Sequence, residues 1–249
     1  MSGEIISVRI LGVFRSAAER ALLRQGAARA SLPTEVSEAD NAAAAEARLA
    51  EGGIDLVIMD DALPAAEKAG ICAAARSAKE NPFLICVGKK TEGVAVDGSV
   101  RRPTNAEEAK QVIDSCIRTR VPTRVLIVDD SSTMRGIVRK ILSASKFPLK
   151  VAESQDGITA LQELRGGGFD IVFLDYNMPG LDGFEILSEL RRLRSRVAVV
   201  MMTSTENPSV AERARAAGAV AFFKKPFFPS DVDAVLYSLH KIDAPAGAG

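Results

Sequence analysis

The sequence predicts two α/β domains in tandem, each a doubly wound sheet of parallel strands with helices on its faces. Three observations carry this reading. Short continuous apolar runs alternate with segments of helical period; such runs are strands buried on both faces, and strands that alternate with helices form parallel sheets. A stretch of the first half recurs in the second: Gly52-Gly53-Ile54-Asp55-Leu56-Val57-Ile58-Met59-Asp60 matches Gly167-Gly168-Phe169-Asp170-Ile171-Val172-Phe173-Leu174-Asp175 at an offset of 115, which Pro64 and Pro179 keep. The 249 residues suffice for two domains, each with its own core.

In the first half, Ser7–Val13, Asp55–Met59 and Phe83–Val87 read as strands. Ala109, Val112, Ile113, Cys116 and Ile117 form one apolar helix face, with Thr104 and Glu107 expected as its capping pair. Residues 118–123, stiffened by Pro122, join the halves, so the expected domains are 1–120 and 121–243, with 244–249 a flexible tail. In the second half the apolar runs are Val125–Val128, Ile171–Leu174, Val197–Met202 and Ala219–Phe223. Met134, Ile137, Val138, Ile141 and Leu142 recur at helical spacing, as do Val232, Val235, Leu236 and Leu239 after a cap expected at Ser230 with Asp233.

Charge removes several classes of function. Lys plus Arg and Asp plus Glu number 32 each, with 16 basic and 17 acidic residues up to position 121 and 16 and 15 beyond it. Neither half has the basic excess that nucleic acid or an anionic membrane selects. No run approaches about 18 apolar residues, and Glu4 stands where a signal peptide carries positive charge, so a cytoplasmic location is expected. Cys72, Cys86 and Cys116 lack paired spacing and read as reduced core thiols. The single histidine, His240, follows Leu236 and Leu239 near a helix end, which leaves His-dependent catalysis without a basis.

In a doubly wound sheet, ligands bind beyond the carboxyl ends of the strands. In the second half those ends are polar: Asp129-Asp130, Asp175, Thr203-Ser204 and Lys224-Lys225-Pro226. Carboxylates gathered at low exposure repel one another unless a cation intervenes, and an oxygen-only set suits Mg²⁺. Asp175 as nucleophile, Lys225 as a point charge for phosphate oxygens, and Thr203 with Ser204 as hydroxyl donors suit phosphoryl transfer to a carboxylate.

These residues resemble the receiver domain of bacterial two-component response regulators, a flavodoxin-like five-stranded (βα)5 fold, and the resemblance covers residues 123–242. It implies that Asp129 and Asp130 are the metal-binding pair and Asp175, in Phe173-Leu174-Asp175-Tyr176-Asn177-Met178-Pro179-Gly180, the phosphoacceptor, with Asn177 offering its backbone carbonyl to the metal. Thr203 and Phe222 take the places of the switch hydroxyl and the switch aromatic, and Lys225 that of the phosphate-binding lysine. Separations of 45 residues from Asp130 to Asp175, 28 to Thr203 and 22 more to Lys225 fit the family. The resemblance further implies a histidine kinase or phosphotransfer protein as donor, and a protein target at 208–217, 220–224 and 230–240.

Aligned on the repeat, the first half keeps Asp60, followed by Asp61, but lacks the rest. Its first strand runs into Phe14-Arg15 with no acidic pair, Gly88 replaces the switch threonine, and Arg101-Arg102-Pro103 replaces Lys224-Lys225-Pro226. Asp60 to Arg102 is 42 residues where Asp175 to Lys225 is 50, so the fourth helix is expected to be lost or reduced. The first domain therefore resembles a receiver that is not phosphorylated and serves packing, dimerisation or docking.

Gly88-Lys89-Lys90-Thr91 lacks the upstream glycine of a P-loop, and Asn177 stands where an aspartyl-nucleophile phosphatase needs a second Asp. No enzyme acting on free substrates is expected, only self-phosphorylation and autodephosphorylation. With no effector after the second receiver, output is expected through protein contacts. The alternative function is a constitutive adaptor, a dimerisation scaffold or a phosphate sink.

Overall fold

In the computed structural model, residues 7–88, 93–204 and 208–245 are described. They divide into two units: residues up to Val121 together with those from Tyr237, and Pro122–Leu236.

Unit one contains β1 (Val8–Val13), β2 (Thr34–Ala39), β3 (Leu56–Asp60), β4 (Phe83–Val87) and β5 (Gly98–Val100), with α1 (Ala17–Ala27), α2 (Ala42–Ala50), α3 (Ala65–Ser77) and α4 (Ala106–Arg118). The strands are parallel in the order β2-β1-β3-β4-β5. The central strands β3 and β4 are buried at every position, as their apolar runs predict. β2 carries Glu35, Ser37 and Glu38 on a half-buried sheet edge, and so has no apolar run to mark it. Between β4 and β5 the described residues hold no helix, in agreement with the shortened sequence, and Lys89–Thr91 lie outside the described residues. Asp243 exchanges two backbone hydrogen bonds with Ser99, an antiparallel bridge on β5.

Unit two contains β6 (Thr123–Val128), α5 (Ser132–Ser143), β7 (Leu149–Ser154), α6 (Gly157–Gly166), β8 (Ile171–Asp175), α7 (Gly183–Arg192), β9 (Ala198–Thr203), α8 (Pro208–Ala216), β10 (Ala221–Lys224) and the start of α9 (Pro229–His240). Its parallel order β10-β9-β8-β6-β7 repeats that of unit one, with the missing helix restored as α8. Like β2, the edge strand β7 is half-buried and polar. Leu126, Val128, Val172, Leu174 and Met201 join Ile186, Leu187 and Leu190 of α7 in one core cluster. Phe173 lies with Phe227 at 6.4 Å and Phe223 at 6.1 Å between ring centres. Burying each such side chain contributes about 1.5–3 kcal/mol.

The offset of 115 extends to bonds the alignment does not show. Arg9 N and Arg124 N donate to Asp55 Oδ2 and Asp170 Oδ2 at 3.0 and 2.8 Å, which ties the start of each first strand to the approach of the third. Gly52 and Gly167 both sit at positive φ (+78° and +77°), as do Gly53 and Gly168 (+75° and +94°). A Cβ on Gly53 or Gly168 would stand 2.9 Å from the guanidinium of Arg9 or Arg124, the movable end of a long side chain, so it is the backbone conformation that requires glycine.

Two helix caps differ from the sequence reading. α4 is capped by Asn105, whose side chain accepts from Glu107 N and Glu108 N, while Thr104 N and Oγ1 donate to Glu108. α9 begins at Pro229; Phe228 N donates to Asp231, and Asp233 accepts instead from Ser145 Oγ at 2.6 Å and Lys146 N at 3.2 Å. Short polar side chains close together compete for the same amides, and the winner depends on where the backbone turns. Cys72, Cys86 and Cys116 are free and buried, and burial pushes the Cys116 thiol up to about 12. His240 is the buried last residue of α9. No helix among the described residues is long and apolar enough to cross a membrane. In the expected tail, residues 246–249 lie outside the described residues.

Candidate functional site

Because the strands of unit two are parallel, their carboxyl ends meet on one edge, and the polar residues that end the apolar runs come together there. β6 ends at Val128, so Asp129 and Asp130 follow it directly; β8 ends in Asp175, β9 in Thr203, and β10 in Lys224 just before Lys225. Asp129, Asp130 and Asp175 each offer a carboxylate oxygen within 4.8 Å of the others. Asp129 and Asp175 are buried and Asp130 is exposed.

Lys225 reaches back to this cluster. Its Nζ donates to Asp129 Oδ2 at 2.5 Å and to Asp175 Oδ1 at 2.7 Å, with the three side chains 7%, 2% and 9% exposed. The lysine is placed by its backbone, since Lys225 N donates to Thr203 O at 2.8 Å as the chain leaves β10. Thr203 is fully buried one register step beyond Asp175 on the neighbouring strand, and Tyr176 N donates to Met202 O at 2.8 Å. Asn177 and Ser204 stand exposed just past the ends of β8 and β9. Phe222 is half-buried on β10, packed against the core rather than gathered into the carboxylate cluster.

Burial pushes the Asp175 carboxyl upward and Lys225 opposes it, while the charges of Asp129 and Asp130 add to the rise; the net position is above the usual carboxylate value. Three carboxylates against one ammonium leave a formal charge of −2. The oxygen-only donor set and that charge fit a small hard divalent cation such as Mg²⁺.

Arg135 braces the acidic pair from behind: Nη1 donates to Asp129 O at 2.9 Å and Nε to Glu153 Oε2 at 3.0 Å. Unit one has the same brace, Arg20 to Phe14 O at 2.6 Å and Arg15 O at 2.9 Å, although no acids stand there. The brace therefore belongs to the fold, and the residues that differ between the units belong to the site.

Those differences concentrate at the equivalent edge of unit one. Phe14 and Arg15 follow β1, Asp60 ends β3, Gly88 follows β4, and Arg102 follows β5. Arg102 Nη2 donates to Asp60 Oδ1 at 2.5 Å and Asp61 Oδ1 at 2.7 Å, and Nη1 pairs with Glu19. The hydrogen bond to Asp60 raises the already high pKa of this guanidinium. Glu19 and the pairing of Asp61 were not anticipated from sequence. The one signal was that Glu19, in the first turn of α1, is an acid where the repeat has Met134.

Residues 125–237 match the family described as response regulator receiver domain. Chemotaxis protein CheY-3 of Vibrio cholerae is 39% identical over 106 residues, which are 42% of this chain and 81% of that protein. Chemotaxis protein CheY of Pseudomonas aeruginosa is 39% identical over 107 residues, 42% of this chain and 85% of that protein. A solved structure described as a probable two-component system response regulator/GGDEF domain protein covers 93% of this chain and 99% of its own, at 22% identity and a TM-score of 0.50, so the likeness in fold extends over both units. The chain belongs to the response regulators of two-component systems. It is a tandem CheY-like member, with two receiver-type sheets of five parallel strands.

Proposed function

We propose that unit two is a phosphorylation switch whose acceptor is Asp175. The observation that carries this is the Lys225 ammonium bridging two buried carboxylates at the carboxyl edge of the sheet. A carboxylate oxygen of Asp175 attacks the phosphorus of a phosphohistidine on a kinase or phosphotransfer protein; the new O–P bond forms as the N–P bond breaks and the donor imidazole leaves. Asp129, Asp130, Asp175 and the Asn177 carbonyl would hold Mg²⁺, which would supply positive charge against the phosphoryl oxygens. Lys225 shifts part of its contact from Asp175 to a phosphoryl oxygen, and the Thr203 hydroxyl donates to another. Movement of Thr203 gives Phe222 room to turn further into the core, and the surface of α8, β10 and α9 changes for a protein target. With no basic excess and a cytoplasmic setting, the partners are proteins.

Unit one has neither the paired acids nor the lysine, and under this reading it accepts no phosphoryl group. The test is intact-mass measurement after incubation with MgCl₂ and acetyl phosphate, on the wild type, Asp175→Asn and Asp60→Asn. One added phosphoryl group that disappears only in Asp175→Asn is expected. Phosphate retained in Asp175→Asn and absent from Asp60→Asn overturns the assignment, and partner binding that ignores Asp175→Asn favours a constitutive scaffold.

A further inference from the structure

The two units share sheet order, the Arg–Asp tie and the Arg20 and Arg135 braces, so each serves as a control for the other. What unit one holds in place of the carboxylate cluster is an ion network of its own. Arg102 gathers Asp60, Asp61 and Glu19, brought from β3, the loop after it and the first turn of α1. Asp60 is buried, with its side chain 9% exposed, and its Oδ1 also accepts from Ala62 N at 3.0 Å. A guanidinium presents donors in a planar fork and can hold several carboxylates at once, which a single ammonium does less well.

Gly88 is part of the same arrangement. It has φ +120°, and a Cβ there would lie 2.0 Å from Asp61 Oδ2. The Asp61 carboxylate thus fills the space that a threonine side chain would need, and the exchange of Thr for Gly goes with the exchange of Lys for Arg. Phe14, in place of the first metal-site acid, joins Leu23, Ile58, Val87 and Pro103 in an apolar cleft beside Arg102. Lys68 Nζ donates to Asp61 O at 3.1 Å, which fixes the loop from its far side.

We infer that Arg102 is a permanent internal counter-ion that locks unit one: its guanidinium occupies the position of both cation and lysine, and holds β3, the loop after it and α1 in one arrangement whatever the phosphorylation state of the chain. This rests on the reading above insofar as Asp175 is taken as the acceptor. Arginine stays protonated throughout the accessible pH range, so the lock has no physiological off state. Unit one is then a fixed platform, and only unit two changes with signal.

The test is hydrogen–deuterium exchange on the full chain, in EDTA and in millimolar MgCl₂, for the wild type, Arg102→Ala, Arg102→Lys and Asp60→Asn/Arg102→Ala. In the wild type the peptide spanning residues 56–63 is expected to exchange at the same rate in both buffers. In Arg102→Ala its rate in EDTA should rise by at least about tenfold, the factor that loss of even one of its charged hydrogen bonds produces, and fall again with Mg²⁺ as the freed carboxylates find another cation. Arg102→Lys should lie between. Removing the buried acid as well should return the rate toward wild type, because an electrostatic lock predicts rescue where a packing role predicts added damage. An Arg102→Ala peptide indifferent to Mg²⁺, a double variant worse than the single one, or a wild-type peptide that Mg²⁺ protects would each overturn the lock. The peptide spanning residues 171–178 reports the other site in the same spectra: if Mg²⁺ leaves it unchanged while residues 56–63 behave as expected in the wild type and the variants, the reading of Asp175 fails and the lock stands.

Discussion

Replacing Lys225 by methionine keeps most of the stem and removes the charge that joins Asp129 to Asp175. The two carboxylates then remain 2% and 9% exposed, with oxygens within 4.8 Å of each other and without their bridging cation. At an effective dielectric constant of about 20, two unit charges at that distance repel by about 3.5 kcal/mol. Breaking a buried pair by removing one partner costs about 3–5 kcal/mol in general, and protonation of Asp175, whose carboxyl burial already pushes upward, relieves part of it. We expect Lys225→Met to destabilise unit two by about 3 kcal/mol in EDTA, a fall of roughly 10 °C in its midpoint. The assay is thermal and urea unfolding followed by circular dichroism, with hydrogen exchange over residues 171–178 to assign the loss to this unit. Saturating Mg²⁺ should narrow the gap, because a ligand at about 100 times its Kd stabilises by about 2.7 kcal/mol and the variant has the greater unmet negative charge. Equal stability of variant and wild type in EDTA, or a gap that Mg²⁺ leaves untouched, would refute the electrostatic account of the cluster.

Further outcomes follow from the same geometry. Burial pushes the Asp55 carboxyl up, but hydrogen bonds from the Arg9 side chain and backbone outweigh it and hold it below the ordinary value. Its contribution to stability is therefore present above about pH 4 and lost as pH falls through the lowered value, so Asp55→Asn should flatten the acid side of the stability profile of unit one, as followed by hydrogen exchange. Gly168→Ala should cost about 1–3 kcal/mol in urea denaturation, since φ +94° strains any side chain while the Arg124 guanidinium that a Cβ would meet can move aside. Gly52→Ala, at φ +78° with its nearest atom at 3.7 Å, should cost a similar amount, because the positive φ sets the strain at both positions. Phe173→Ala, at a position 1% exposed between Phe223 and Phe227, should destabilise unit two by about 3–5 kcal/mol and leave exchange at residues 56–63 unchanged.

The parallel direction of the strands and the identity of the polar edge were legible in the sequence, because buried strands that alternate with helices form parallel sheets and the residue that ends each apolar run faces the ligand edge, whereas the order of the strands came from the structure. Asp129, Asp130, Asp175, Thr203 and Lys225 could be placed together on that ground, and the offset of 115 announced two copies of one fold before any coordinate. The edge strands Thr34–Ala39 and Leu149–Ser154 escaped notice, since one exposed side lets polar residues in and breaks the pattern, and Gly98–Val100 did so because three residues are too few to write a run. The caps of α4 and α9 also fell differently, because several short polar residues compete near each helix start.

What the sequence by itself determined is the architecture, which depends on periodicity and on residues a few positions apart. Only the tertiary structure decided how charges pair: Lys225 joins residues 96 and 50 positions away, and Arg102 joins Glu19 across 83 positions and Asp60 across 42. A charge on a linear chain has many candidate partners, and the choice among them is made by which strand ends the sheet order brings to within hydrogen-bond reach.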